Sequence, residues 1–223
     1  MTKKQATDEL LSGLIPPMNQ RGFTLSRSIK RFYGYNLEFR PILSFHGVVL
    51  AHGTQFRPMV GIRCEAVESI INRVTAVDSK IAKHSATLGT ELGMLSNETA
   101  HWRAAIATED QVAPAINLII KAFDSRALPF YSEFANLAAL DRYLNTDPEA
   151  GLQLCSSYVY RAMAGVTTRK LLEGNANELI EAYRKRLREM RNGKADGDFE
   201  GFLYRIDGDP GFSGQIRKAK HIS

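Results

Sequence analysis

Apolar residues near the start of the chain recur at helical spacing. Leu10, Leu11, Leu14, Ile15 and Met18 make one stripe, which predicts a helix from Gln5 to Met18. Pro16 and Pro17 are expected to bend it or end it early. The period then changes. Phe23, Leu25, Ile29 and Tyr33 alternate with polar residues, and Leu37, Phe39, Leu43 and Phe45 do so again. Phe56, Val60, Ile62 and Cys64 repeat the pattern a third time. Alternation broken by glycines is the signature of antiparallel strands with one buried face. The segment His46 to Gly53 reads as a wide hairpin loop or a short edge strand.

Helical spacing returns at Glu65, with Val67, Ile70, Ile71, Val74, Val77 and Ile81 on one long stripe. Two more strand candidates follow at Ala86 to Leu95 and at His101 to Ala107. Ser96, Asn97, Glu98 and Thr99 supply turn chemistry between them. Thr108 and Gln111 have the spacing of a capping box ahead of Val112, Ala115, Ile116, Ile119, Ile120 and Phe123. Pro129 is expected to separate that helix from one over Glu133 to Leu144. Asp147 and Pro148 read as the start of another, carrying Leu152, Cys155, Val159 and Met163. A last helix begins near Asn175, with Ala176, Ile180, Tyr183, Leu187 and Met190 on its apolar side.

These patterns predict an α+β fold: an antiparallel sheet of about five strands packed against helices, with a helical C-terminal half. A single domain is expected over 1–193. Residues 194–223 read as a Gly/Asp-rich tail with a basic end, loosely packed.

The same order of motifs resembles an uncharacterised bacterial family, a domain of unknown function. The likeness is carried by Arg21-Gly22-Phe23, by Lys30 to Tyr33, and by Phe56 to Arg63 leading into a helix that contains Glu68. Ser85 to Leu95, Trp102, Ala127 to Phe130 and the helical C-terminal half complete it. The resemblance implies a fold and a bacterial cytosolic setting. It implies no catalytic residue.

Composition changes this picture little. The 223 residues are 44% hydrophobic and 24% charged, with a net charge of +5. The charged start is not a secretory signal, and no apolar run approaches the roughly 18 residues of a membrane span. With Cys64 and Cys155 alone, a disulfide framework is not expected, so the chain reads as cytoplasmic. No cofactor motif is present. Gly89 to Gly93 has neither a Walker lysine nor dinucleotide spacing.

Three groups of residues invite a function. Arg27, Lys30, Arg31, Arg40, Arg57 and Arg63 belong to the strand region, and with Phe32, Tyr33 and Tyr35 they are a candidate anion or nucleic-acid face. Arg27 and Arg31 share strand parity with Leu25 and Ile29, which would aim them at the core unless they are paired or the register shifts. Asp196, Asp198, Glu200 and Asp207 imitate a calcium loop, because acids at such spacing around Gly201 can converge on one cation. Asp207 is shorter than the bidentate glutamate such loops use, and Gly208 to Gly211 would block the usual exit helix. His46, His52, Arg57 and Cys64 are the nearest thing to an unrecognised enzymatic site.

The reading favoured on these grounds is a non-enzymatic binding protein, immunity-like or regulatory, that holds a protein partner. The alternatives are a nucleic-acid-associated protein using the basic strands and the arginine-rich last helix, and an enzyme.

Overall fold

The computed structural model describes residues 1–95, 103–149, 153–190, 193–209 and 212. The fold is α+β with a helical C-terminal half. The chain divides into two compact units, one of Met1–Ile62 with Gly89–Glu133, the other of Arg63–Leu88 with the chain from Phe134 onward. The cause is topological: the chain leaves the first unit at the end of one strand and re-enters it at the next.

The first unit opens with helix α1 (Lys3–Gln20), capped by a reciprocal Thr2–Gln5 pair. The helix does not end at Pro16 and Pro17 but continues to Gln20. Strands β1 (Phe23–Ser26) and β2 (Arg31–Gly34) follow, then β3 (Phe39–Leu50) and β4 (Gly53–Cys64). The expected strand from Phe23 to Tyr33 is therefore a hairpin. Its turn spans Arg27 to Lys30, with Lys30 in the left-handed region at φ 55. That turn resets the parity, so Arg31 pairs with Ser26 and is not driven into the core.

His46 to Gly53 is not a loop either. β3 and β4 extend toward each other, and only Ala51 and His52 separate them, with Gly53 at φ 124. β5 (Leu88–Glu91) and β6 (Ala104–Ile106) both join β4, completing a six-stranded sheet in the order β1-β2-β3-β4-β5, with β6 on β4. His101 and Trp102 lie outside the described residues, as do Ser96 to Thr99.

Strand parity sorts the sheet into two faces. The registers Leu25↔Phe32 and Phe32↔Leu43 place these residues on one side. Phe32, Leu43 and Phe56 are buried there together with Leu10, Leu14 and Met18 of α1. α1 packs against β1, β3 and helix α4 (Val112–Ala122), and α4 also meets β6. Beyond α4 the helix does not stop before Pro129. A π turn over Phe123–Ala127 leads directly into α5 (Leu128–Glu133), with the Leu128 N–H donating to Phe123 O. The wider turn leaves room for a proline that would clash in a regular helix. Phe123, Phe23 and Tyr131 form an aromatic cluster at the seam, with ring centroids 5.1–6.1 Å apart.

The second unit is built from α2 (Glu65–Val74), α3 (Ser79–Ala82), α6 (Leu137–Asn145), α7 (Tyr158–Glu173), α8 (Asn177–Glu189) and α9 (Gly193–Asp207). The long helix expected from Glu65 to Ile81 breaks after Val74, where Ala76 takes φ 54. Val77 and Ile81 are consequently exposed. The start expected at Asp147-Pro148 lies instead at Ser157, whose side chain caps α7. α7 is the hub and touches α2, α6, α8 and α9.

α9 takes up the first part of the expected tail, to Asp207, while the basic end at 213–223 lies outside the described residues. Phe199, Phe202, Leu203 and Ile206 are buried, at the i, i+3, i+4, i+7 spacing of one helix face. Their burial outweighs the helix-weakening Gly197 and Gly201.

Candidate functional site

Two polar constellations stand out among the described residues. The first is the sheet face opposite Phe32 and Leu43. Parity places Thr24, Arg31, Tyr33, Arg40, Ile42, Ser44, Gln55, Arg57 and Met59 on it. Apart from Ile42 and the exposed Thr24, these residues are half-buried, with their stems on the sheet and their tips within reach of solvent. Arg40 stands over the Tyr33 ring at 5.1 Å. Arg57 donates from Nη1 to Glu91 Oε1 at 3.3 Å. Arg103, just before β6, donates to Gln55 Oε1 at 2.8 Å.

The proposed basic row is thus redistributed. Arg31, Arg40 and Arg57 share this face, and Arg103, which the sequence reading did not select, joins them. Arg27 and Lys30 sit in the β1–β2 turn, where Lys30 meets Asp8 of α1 at 3.2 Å. Arg63 leaves the group altogether: it is 3% exposed and belongs to the second unit. Its expected place on a solvated face is wrong because the last residues of β4 are buried on both sides.

Arg63 anchors the second constellation, which surrounds the fully buried carboxylate of Glu68 on α2. Tyr160 of α7 donates its hydroxyl to Glu68 Oε1, and Thr87 donates to the same oxygen at 3.1 Å. Ser85 Oγ lies 2.5 Å from Oε2, Asn72 Nδ2 lies 3.3 Å from it, and Arg63 Nη1 lies 3.6 Å away. Arg63 also forks onto Glu65, at 2.7 and 3.1 Å, and donates to Ala82 O at 2.7 Å.

Burial and the Glu68 charge hold the Tyr160 phenol well above its ordinary pKa. Burial opposes the Arg63 charge, but the bonds and charges of Glu65 and Glu68 outweigh it and raise its pKa. Both oxygens of Glu68 are occupied by protein donors, so this carboxylate ties β4, α2, the segment before β5 and α7 together. It has no lone pair turned toward a ligand.

The remaining candidates are dispersed. His46 lies on β3, His52 in the turn before β4, Arg57 within β4 and Cys64 at its far end. Burial pushes the Cys64 thiol up to about 12 and the Cys155 thiol up to about 11, away from the thiolate a nucleophile needs. The calcium loop is corrected: Asp196, Asp198, Glu200 and Asp207 lie on α9, where a helix turns successive acids away from one another. Glu200 forks with Arg184 of α8 at 2.6 and 2.7 Å, and Asp207 pairs with Lys170 of α7. No group of three or more potential ligands is placed to hold a metal among the described residues. No described helix is long and apolar enough to cross a membrane.

Comparison with protein-family models, with curated proteins and with solved structures finds no match. The resemblance to an uncharacterised bacterial family therefore adds nothing to the geometry.

Proposed function

We propose that this chain is a non-enzymatic binding protein that docks a protein partner on the sheet face bearing Tyr33, Arg40, Arg57 and Met59. The observation that carries this reading is the make-up of that face. Arginine, tyrosine and methionine at intermediate exposure are the residue types that enrich the centres of protein interfaces. The strands beneath are held from the other side by α1, so the face is rigid and costs little ordering on binding. The buried polar chemistry of the second unit is consumed internally, which supports binding over catalysis.

The basic residues of α8 speak for a protein partner over nucleic acid. Arg184 holds Glu181 and Glu200, Lys185 lies near Glu149 and Glu189, and Arg186 meets Glu189. Three of the four basic residues of that helix thus face carboxylates, which weakens their pull on phosphates.

The reading is tested by affinity capture from the host lysate after nuclease treatment, comparing the wild-type chain with Tyr33→Ala and Met59→Lys. Recovery of one defined partner by wild type alone, with both variants folded by circular dichroism, is the expected result. Equal recovery by wild type and variants would show that this face is not the docking surface.

A further inference from the structure

We infer that the partner presents carboxylates, and that Arg57 and Arg103 together form the site that receives one. This rests on the docking face proposed above and adds the chemistry of what sits there. β4 and β6 pair antiparallel, with Thr54↔Ile106, Gln55↔Ala105 and Phe56↔Ala104 in register. Arg103 lies one residue before β6, and continuing that register by one step would set it across from Arg57; its bond to Gln55, on the Arg57 side of β4, agrees with this. Residues directly opposite on one face have Cβ atoms about 5 Å apart, and like charges placed so repel each other.

The protein only half answers this repulsion. Among the described residues, the two guanidinium groups meet one carboxylate, Glu91, and one neutral amide, Gln55. Each guanidinium has five N–H donors, and the Nε of Arg57 and that of Arg103 are both shielded from solvent without an acceptor. Two cations, one acid and unspent donors make a site one negative charge short. A carboxylate entering between the two forks would supply that charge and accept from both.

Carboxylate and phosphate both suit such forks, and two features of the face favour the carboxylate of a protein. Arg40 already stands over the Tyr33 ring, so this aromatic surface is not open to stack a base. Met59, two residues from Arg57 on the same face, offers an apolar neighbour of the kind a folded partner would cover.

The test is fluorescence anisotropy of the full chain with labelled poly-L-glutamate and, separately, labelled oligothymidylate, at rising salt. The proteins are wild type, Arg57→Gln, Arg103→Gln, the double variant and Lys30→Gln. Poly-L-glutamate should bind wild type more tightly than oligothymidylate. Each single variant should lose about tenfold and the double variant more, roughly the loss of one charge-assisted contact apiece. Lys30→Gln, which changes charge in the neighbouring turn, should stay within about twofold, since a screened surface charge contributes little.

Binding by the double variant equal to wild type, an equal loss with Lys30→Gln, or no binding to poly-L-glutamate would overturn the inference. A preference for oligothymidylate lost in the same variants would assign the pair to phosphate instead. A partner captured through Tyr33 and Met59 but indifferent to Arg57→Gln and Arg103→Gln would leave the docking face standing and remove this site alone.

Discussion

Arg57 and Arg63 lie on the same strand with identical side chains, yet their surroundings differ in kind. Arg63 is buried and satisfied: Glu65, Glu68, Ser85 and Ala82 O surround it. Arg57 keeps about a third of its side chain exposed, at 32%, and holds one long contact to Glu91. A buried charge must be paired within the protein or the fold is lost, whereas a half-exposed one can be left for a partner. The difference separates an arginine whose charge the fold consumes from one whose donors the fold leaves partly unspent.

The strongest way to break that contrast is to remove the acid at the centre of the buried network. Glu68→Ala leaves Arg63, Tyr160, Thr87 and Ser85 facing an empty site, and should cost about 3–5 kcal/mol in urea denaturation followed by circular dichroism. Glu68→Gln keeps one acceptor oxygen and should cost less. A loss under about 1 kcal/mol for Glu68→Ala would show that water or rearranged donors replace the network.

A second polar centre in the same unit can be tested by overpacking. Gly165 on α7 lies where a Cβ would come 2.3 Å from Asn145 Oδ1 and 2.7 Å from Tyr183 Oη. Both atoms belong to a buried set in which Tyr183 donates to Leu144 O and Asn145 donates to Gly165 O. Gly165→Ala should therefore destabilise by about 1–3 kcal/mol in the same assay, because the neighbours cannot move without losing those bonds.

Alkaline pH probes the buried phenols. Burial, and for Tyr160 the Glu68 charge as well, holds Tyr160 and Tyr131 well above their usual range in the folded chain. Unfolded tyrosines titrate near about pH 10, so above that pH the unfolded state binds fewer protons than the folded one. Stability is therefore full below about pH 10 and falls as pH rises toward the folded values. Urea midpoints at about pH 9 and about pH 11 should show the drop, and it should be shallower in Tyr160→Phe. An unchanged slope in that variant would mean that other groups drive the loss.

The smallest expected effect sits on the other side of the contrast. Arg57→Met should change stability by no more than about 0.5 kcal/mol, since it gives up one long, half-exposed pair. A loss as large as that of Glu68→Ala would make Arg57 a structural residue and erase the distinction from Arg63.

Elements with strong local patterns were legible from the residues. The stripe of Leu10, Leu14 and Met18 marks α1, and the alternation of Phe56, Val60 and Ile62 marks β4. The failures came where a distant partner outweighs a local rule. Pro129 was expected to end a helix, but a π turn and the aromatic packing of Phe123 and Tyr131 keep the chain helical. Asp196 to Asp207 was read through its acids, although Phe199, Phe202, Leu203 and Ile206 carried a helical period in plain view. Strand parity sets Arg40 and Arg57 on the side of the sheet away from Phe56, but nothing local points to Arg103.

Amphipathic period, turn residues and composition are properties of short segments, so the sequence alone determined the α+β class, the antiparallel sheet and the helical second half. Which arginine is buried and which stays at the surface depends on residues far along the chain. Arg63 needs Ser85 and Ala82 beside it, and Arg103 reaches Gln55, two residues from Arg57, only because β6 folds back onto β4. Burial and pairing of charges are long-range facts, and only the tertiary structure decided them.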